Sequence, residues 1–197
     1  LIGNTSRGIG KEQYDAVIYD ARLRNGAKWA QGRWQMRGGV AFDGQSSYVS
    51  ARAKLSDETF SMFMWFRSSA DHGGLFSTGE TISPRSKSDR SLYLSKGKVV
   101  SELSRETIVS EKTYNDGEWH MVALSVNSQT KRHKLYVDGE LVAEAGGFAF
   151  GSEKQQAYFL GFSKTAGFFN GVIDELAIFD RELSAGEILN VYKNGAP

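Results

Sequence analysis

The sequence contains no cysteine. Disulfides and thiolate metal sites are therefore excluded. A chain of 197 residues can bury a large core without such staples, so this absence leaves secretion open. Net charge is also nearly absent: 24 basic residues against 23 acidic ones give +1. Nothing global in that balance points to nucleic acid or to an anionic membrane surface. No apolar run approaches the ~18 residues that a membrane-spanning helix needs. There is no repeat of fixed period and no low-complexity tract. What remains is an ordinary globular composition, 40% hydrophobic and 24% charged, in a length that suits one all-β domain. The sequence starts at Leu1 rather than Met and reads as a piece of a longer protein.

The most regular stretch runs from Asp116 to Ala145. His120, Val122, Leu124 and Val126 alternate with Trp119, Met121, Ala123 and Ser125, the period-two mark of a strand over Glu118–Val126. A second strand over His133–Asp138 sets Leu135 and Val137 against Lys134 and Tyr136. Asp138-Gly139 then predicts a tight hairpin turn into a third strand, Glu140–Ala145.

The rest of the chain is read from this base. Residues 1–25 are taken as a leader with a first strand near Ala16–Tyr19, closed by an Asn25-Gly26 turn. Residues 26–197 are taken as the domain proper. Ala27 to Trp29 is a short strand, and Gly38–Ala51 gives two strands around Asp43-Gly44. Thr59–Arg67 is apolar on both faces, with Phe60, Met62, Met64 and Phe66 opposite Phe63 and Trp65, so it is expected to be a central strand. Ser68–Gly74 and Gly79–Asp89 are read as polar loops and Lys164–Asn170 as a loop rich in Gly and Phe. Ser91–Ser95 and Val99–Leu103 form a hairpin over Lys96-Gly97, and Gly171–Phe179 is the last strand. Ser184 with Glu187 three residues on is a capping box opening one short helix, which Asn194-Gly195 ends. The expected fold class is all-β, a two-sheet antiparallel sandwich with one C-terminal helix.

Three segments carry a family resemblance: Gly39–Gly44 (GVAFDG), Asp116–Ala123 (DGEWHMVA) with Leu135–Gly139 (LYVDG), and Phe169–Phe179 (FNGVIDELAIF) followed by Leu183–Ile188 (LSAGEI). In this order and spacing they resemble the laminin G-like, concanavalin A-like jelly-roll domains, over about residues 26–194. The resemblance implies a jelly-roll module of an extracellular, multidomain protein. It also implies a calcium ion beside the Phe-Asp-Gly turn, which here makes Asp174, with Asp43 and Gly44, the expected metal ligands. The implied partner is a glycan or an extracellular protein, besides the other domains of the parent chain. Nucleic acid and membrane insertion are not expected.

Ligand contacts are expected from Trp34, which has polar neighbours and can offer an aromatic face to a sugar. His72, in a loop with Asp71, is a candidate at the sandwich rim. Arg85 and Arg90 lie in a basic stretch, and Lys131–Lys134 forms another. His120 falls on the apolar alternation and is read as a satisfied core histidine. Asp174 and Glu175 are adjacent and point to opposite faces of a strand, so they make no acid/base pair. The spaced carboxylates of glycosidases of this fold are missing, and no enzyme is expected. The expected function is a non-catalytic binding or adhesion module. The alternatives are a structural domain packed on its parent chain and, behind it, a polysaccharide-degrading enzyme.

Overall fold

The computed structural model describes residues 19–34, 38–52, 59–80, 90–104, 106–147 and 157–195. Two large antiparallel sheets face each other. The first has the order β1 (Tyr19–Arg24), β4 (Tyr48–Arg52), β13 (Ala157–Leu160), β6 (His72–Gly79), β7 (Arg90–Ser95), β8 (Lys98–Leu103) and β9 (Glu106–Thr113). The second has the order β12 (Glu140–Gly146), β11 (Arg132–Val137), β10 (Trp119–Asn127), β5 (Thr59–Arg67), β16 (Asn170–Phe179), β3 (Gly38–Asp43) and β2 (Lys28–Gln31). A small hairpin, β14 (Phe162–Ser163) with β15 (Gly167–Phe168), and one helix, α1 (Ala185–Asn194), complete the described elements.

The alternation sets the layers. Met64 on β5 stands opposite Val122 on β10, which stands opposite Val137 on β11. These residues, with Phe60, Met62, Phe66 and Leu124, meet Leu75, Phe76, Leu92 and Leu94 of the first sheet in the main core. Each such side chain contributes about 1.5–3 kcal/mol by leaving water. The odd residues of β5, Phe63 and Trp65, face the other way, onto Leu183, Ile188 and Val191. Thus β5 is central and covered on both sides, as its two apolar faces predict. The buried Ser61 and Ser125 fasten the chain entering α1: Leu183 N–H donates to Ser61 Oγ at 2.8 Å, and Ser125 Oγ donates to Leu183 O at 3.1 Å. Ser184 caps the helix as expected, with Glu187 N–H donating to its Oγ and Ser184 N–H donating to Glu187 Oε2.

A polar contact joins the two sheets across the core. His133 is fully buried, and its Nε2 lies 2.9 Å from Ser101 Oγ on β8. His120, by contrast, is half-buried at the strand's start. Its Nδ1 meets Asp138 Oδ2 at 2.7 Å and its Nε2 meets Asp116 Oδ1 at 3.1 Å. The imidazole is satisfied, but by two carboxylates rather than by the core. Asp138 sits at φ +52 in the hairpin turn, and its Oδ1 also accepts from Met121 N–H at 2.9 Å.

Three boundaries differ from the sequence reading. Strand β6 begins at His72, so the loop before it is only residues 68–71. The Gly- and Phe-rich segment after Leu160 forms the hairpin β14–β15, which lies across the outer face of the first sheet. A Cβ on Gly74 would sit 1.9 Å from Ser163 N, so glycine is needed where the hairpin crosses. Glycines carry no period, which is why that strand start and that hairpin do not stand out in the sequence. Finally, β1 pairs with β4 and belongs to the first sheet, so the fold has no break at residue 25. The expected strand start near Ala16 lies outside the described residues.

Candidate ligand-binding rim

One end of the sandwich is built from short loops tied to each other by backbone bonds. Gly44 N–H donates to Phe169 O at 2.9 Å, Ser68 Oγ to Asn170 O at 2.6 Å, and Gly117 N–H to Ser68 O at 3.0 Å. Gly97 N–H donates to Asp71 O at 3.0 Å, and Asn115 Nδ2 to Asp71 Oδ1 at 2.9 Å. These bonds join five connections that are far apart in sequence into one rigid rim.

A depression of about 370 Å³ opens between them, lined by Arg67, Ser68, Ser69, Ala70, Gly117, Asn170, Gly171 and Val172. Its floor must be glycine at Gly171, where φ is +153 and a Cβ would lie 2.3 Å from Arg67 O. Arg67 ends β5 and stands opposite Trp119, the first residue of β10; its guanidinium lies 5.1 Å from the indole centroid. The depression thus combines a cation, a hydroxyl, an amide and backbone polar groups, with an aromatic ring beside the cation. None of its side chains was singled out by the sequence. The available signal was the pair of glycine dipeptides, Asp116-Gly117 and Asn170-Gly171, but the segments that carry them, a turn and the start of β16, meet only through tertiary structure.

The residues that were singled out fall elsewhere. Asp43 and Asp174 do not share a site. Asp43 pairs with Asn170 across β3 and β16, and Asp174 lies four residues further along β16, about 13 Å away at strand rise. Asp43 Oδ1 accepts from the N–H groups of Gln45, Ser46 and Ser47 and from Ser47 Oγ. Those donors, led by Ser46 N–H, hold its carboxyl far below the ordinary range. Gly44, at φ +72, turns the chain against Asn170. Asp174 is 2% exposed, and its two oxygens accept from Arg33 N–H at 2.9 Å and Glu175 N–H at 2.8 Å. A calcium shell drawing on all three residues does not fit this geometry, because at strand rise Asp43 and Asp174 stand about 13 Å apart, farther than the ligands of one ion. Among the described residues no three His, Asp or Glu side chains are placed to hold a metal ion.

Trp34 packs on its own protein. Its Nε1 donates to Glu175 Oε1 at 3.1 Å, and the Arg33 guanidinium stacks 4.3 Å from its ring and 3.5 Å from that of Trp65. Trp65 in turn stacks on Tyr192 of α1 at 5.7 Å. This column holds the helix end to the second sheet, at the opposite end of β3 from the rim. Glu175 takes φ +50 at a bulge in β16, and the backbone twist there turns its carboxylate to Trp34.

His72 is exposed at the start of β6 and lies near the rim, opposite Ser95, but does not line the depression. Arg90 points between the sheets, 4% exposed, with its guanidinium 5.1 Å from the Phe60 ring, so it does not belong to a surface cluster. The period-two pattern of β7 places it on the face of Leu92 and Leu94, which explains the burial. Arg85 lies outside the described residues. The basic run Lys131–Lys134 is also dispersed, with His133 in the core, Arg132 3.5 Å from Glu144 and Lys134 3.3 Å from Glu182.

Residues 43–189 match the family model of the concanavalin A-like lectin/glucanases superfamily. The chain belongs to this family. No curated protein sequence matches it. Among solved structures it is similar to domain 4 of AbnA, an extracellular GH43 arabinanase from Geobacillus stearothermophilus, seen in complex with arabinotriose. That pair has 16% identity, 87% coverage of each chain and a TM-score of 0.67. It is also similar to the receptor binding domain of botulinum neurotoxin D, at 18% identity and TM-score 0.66, covering 89% of this chain and 48% of that one. A botulinum neurotoxin type C structure, described in terms of cell entry dependent on two ganglioside molecules, matches at 14% identity and TM-score 0.68, over 91% of this chain and 47% of that one. The chain thus spans about half the length of these toxin structures. At such identities the likeness establishes the jelly-roll fold. Among the described residues no helix is long and apolar enough to cross a membrane.

Proposed function

We propose that this domain is a non-catalytic binding module of a secreted protein, and that it holds a glycan in the rim depression between Arg67, Ser69, Gly117 and Asn170. The observation that carries this reading is the depression itself: room for one or two sugar rings, walled by side-chain and backbone hydrogen-bonding groups, with an indole at its edge. Sugars are recognised by such a mixture, polar groups for the hydroxyls and an aromatic ring for the C–H face. The rigid cross-bonded loops reduce the ordering cost of binding. Support comes from neighbours of the same fold described with arabinotriose and with gangliosides. The carboxylates argue for binding without catalysis. Asp174 is buried under Arg33, and Glu175 is bonded to Trp34.

An oligosaccharide panel tests the proposal. The wild type should bind at least one glycan, and Ser69→Trp, which fills the depression, should abolish that binding without lowering the melting temperature. Loss of sugar contacts in Asn170→Ala should weaken it. Binding that survives Ser69→Trp would move the site elsewhere; no binding to any glycan would favour a domain that packs on its parent chain.

A further inference from the structure

On the outer face of the first sheet, three arginines line one edge. Arg22 stands opposite Ser50, Arg24 opposite Tyr48, and Arg52 follows Ser50 by two residues on the same side of β4. Consecutive arginines are therefore roughly 7–8 Å apart along and across the strands. Arg22 and Arg52 are exposed, and Arg24 is half-buried with its Nε donating to Ser50 Oγ at 3.2 Å. Among the described residues no carboxylate pairs with any of the three; β4 and β13 carry none, and β1 carries one, Asp20, two residues before Arg22. Beside them lies an aromatic shelf. The Tyr48 ring is 6.0 Å from Phe159 and 6.4 Å from Phe168, and Phe168 is 4.9 Å from Phe162. Tyr48, Phe162 and Phe168 are each half-buried, so ring surface remains open next to the charges.

Three like charges on neighbouring strand positions repel one another, and a chain with a net charge of +1 has acidic residues enough to neutralise them. The three guanidinium groups so placed form a local positive patch. Guanidinium groups bind carboxylate and sulfate through paired N–H donors, and an adjacent aromatic ring takes a sugar's C–H face. We propose that this face is a second contact surface, distinct from the rim depression, for an acidic polysaccharide whose carboxylate or sulfate groups bind Arg22, Arg24 and Arg52 while a sugar ring rests on Tyr48 and Phe168. Nucleic acid is the weaker match, because three arginines in an otherwise balanced chain make no extended basic footprint for a phosphate backbone.

Affinity electrophoresis with polygalacturonate, dextran sulfate and neutral dextran tests this. The wild type should be retarded by one or both polyanions and not by dextran, and retardation should fall as salt rises. An exposed charge pair contributes up to about fivefold in affinity, so Arg22→Ser/Arg52→Ser should weaken binding by up to about 25-fold at an unchanged melting temperature. Arg22→Glu alone should weaken it further than Arg22→Ser. Ser69→Trp should leave polyanion binding intact, which separates this surface from the depression. The proposal is overturned if neither polyanion retards the wild type, if the arginine variants bind as the wild type does, or if single-stranded DNA is bound more tightly than both polyanions.

Discussion

Acid should weaken this domain through His133. His133 is fully buried between the sheets, and that burial lowers its pKa from 6.5 to about 4. Because the folded value lies below the unfolded one, the unfolded chain binds more protons between pH 6.5 and 4. Stability must therefore fall as pH falls through that window. A pKa difference of one corresponds to about 1.4 kcal/mol, so the loss approaches roughly 3 kcal/mol at pH 4, a large share of a typical 5–15. His120 works in the opposite sense. Burial disfavours its charged form, but the hydrogen bonds and charges of Asp138 and Asp116 outweigh burial and raise its pKa above 6.5. Its contribution is complete below pH 6.5 and is lost as pH rises through the folded value. Urea titrations of the wild type and of His133→Val, run from pH 7.5 to 4.0, separate the two. Valine places a β-branched apolar side chain in the strand and leaves Ser101 Oγ without the imidazole, at a cost of about 1–3 kcal/mol that does not vary with pH. The acid loss should shrink by roughly 3 kcal/mol in the variant. An acid loss as large in His133→Val as in the wild type would refute the assignment.

Two further perturbations probe the helix and the buried carboxylate. Ser184→Ala removes the oxygen that accepts from Glu187 N–H, and should lower stability by about 1 kcal/mol in a chemical melt. The Arg181 side chain and Ser184 N–H hold Glu187 near a pKa of about 2, below its usual 4.5, so this cap should persist above pH 4.5 and weaken as pH falls toward 2. Asp174→Asn sets an amide donor against a backbone N–H in a buried site and should cost about 1–3 kcal/mol. The drop in melting temperature should be the same with and without a calcium chelator. A drop that appears only in the absence of chelator would restore the metal site.

The fold was legible where the information is local. Strict alternation over Glu118–Val126 and Thr59–Arg67 assigned faces that the structure keeps, because period two in a strand fixes which side each residue buries. Asp138-Gly139 and the Ser184/Glu187 box carry their conformations in two to four residues. Pairing order is another matter. The neighbours β5–β16, β3–β16 and β4–β13 are joined by contacts between residues about 100 or more positions apart, and no local pattern encodes them. The placement of the site residues was hidden for the same reason. Asp43 flanks a turn while Asp174 lies inside β16, and the register of β3 on β16 sets Asp43 against Asn170 instead. Trp34 looked free because its polar neighbours hid the stack with Arg33 and Trp65. Arg90 looked exposed because it follows a polar stretch, although its parity with Leu92 and Leu94 placed it inward. The residues of the depression are individually unremarkable serines, glycines and an asparagine, and only the bonded loops bring them together.

The most direct test of the binding account is a map of where an oligosaccharide sits. Amide chemical shifts of the labelled domain are followed during titration with the best-binding glycan of the panel. The account predicts perturbations concentrated at Arg67–Ala70, Gly117–Trp119 and Asn170–Val172, with α1 and the Trp34 column unmoved. Perturbations confined to any other surface, with these three segments silent at saturation, would contradict it.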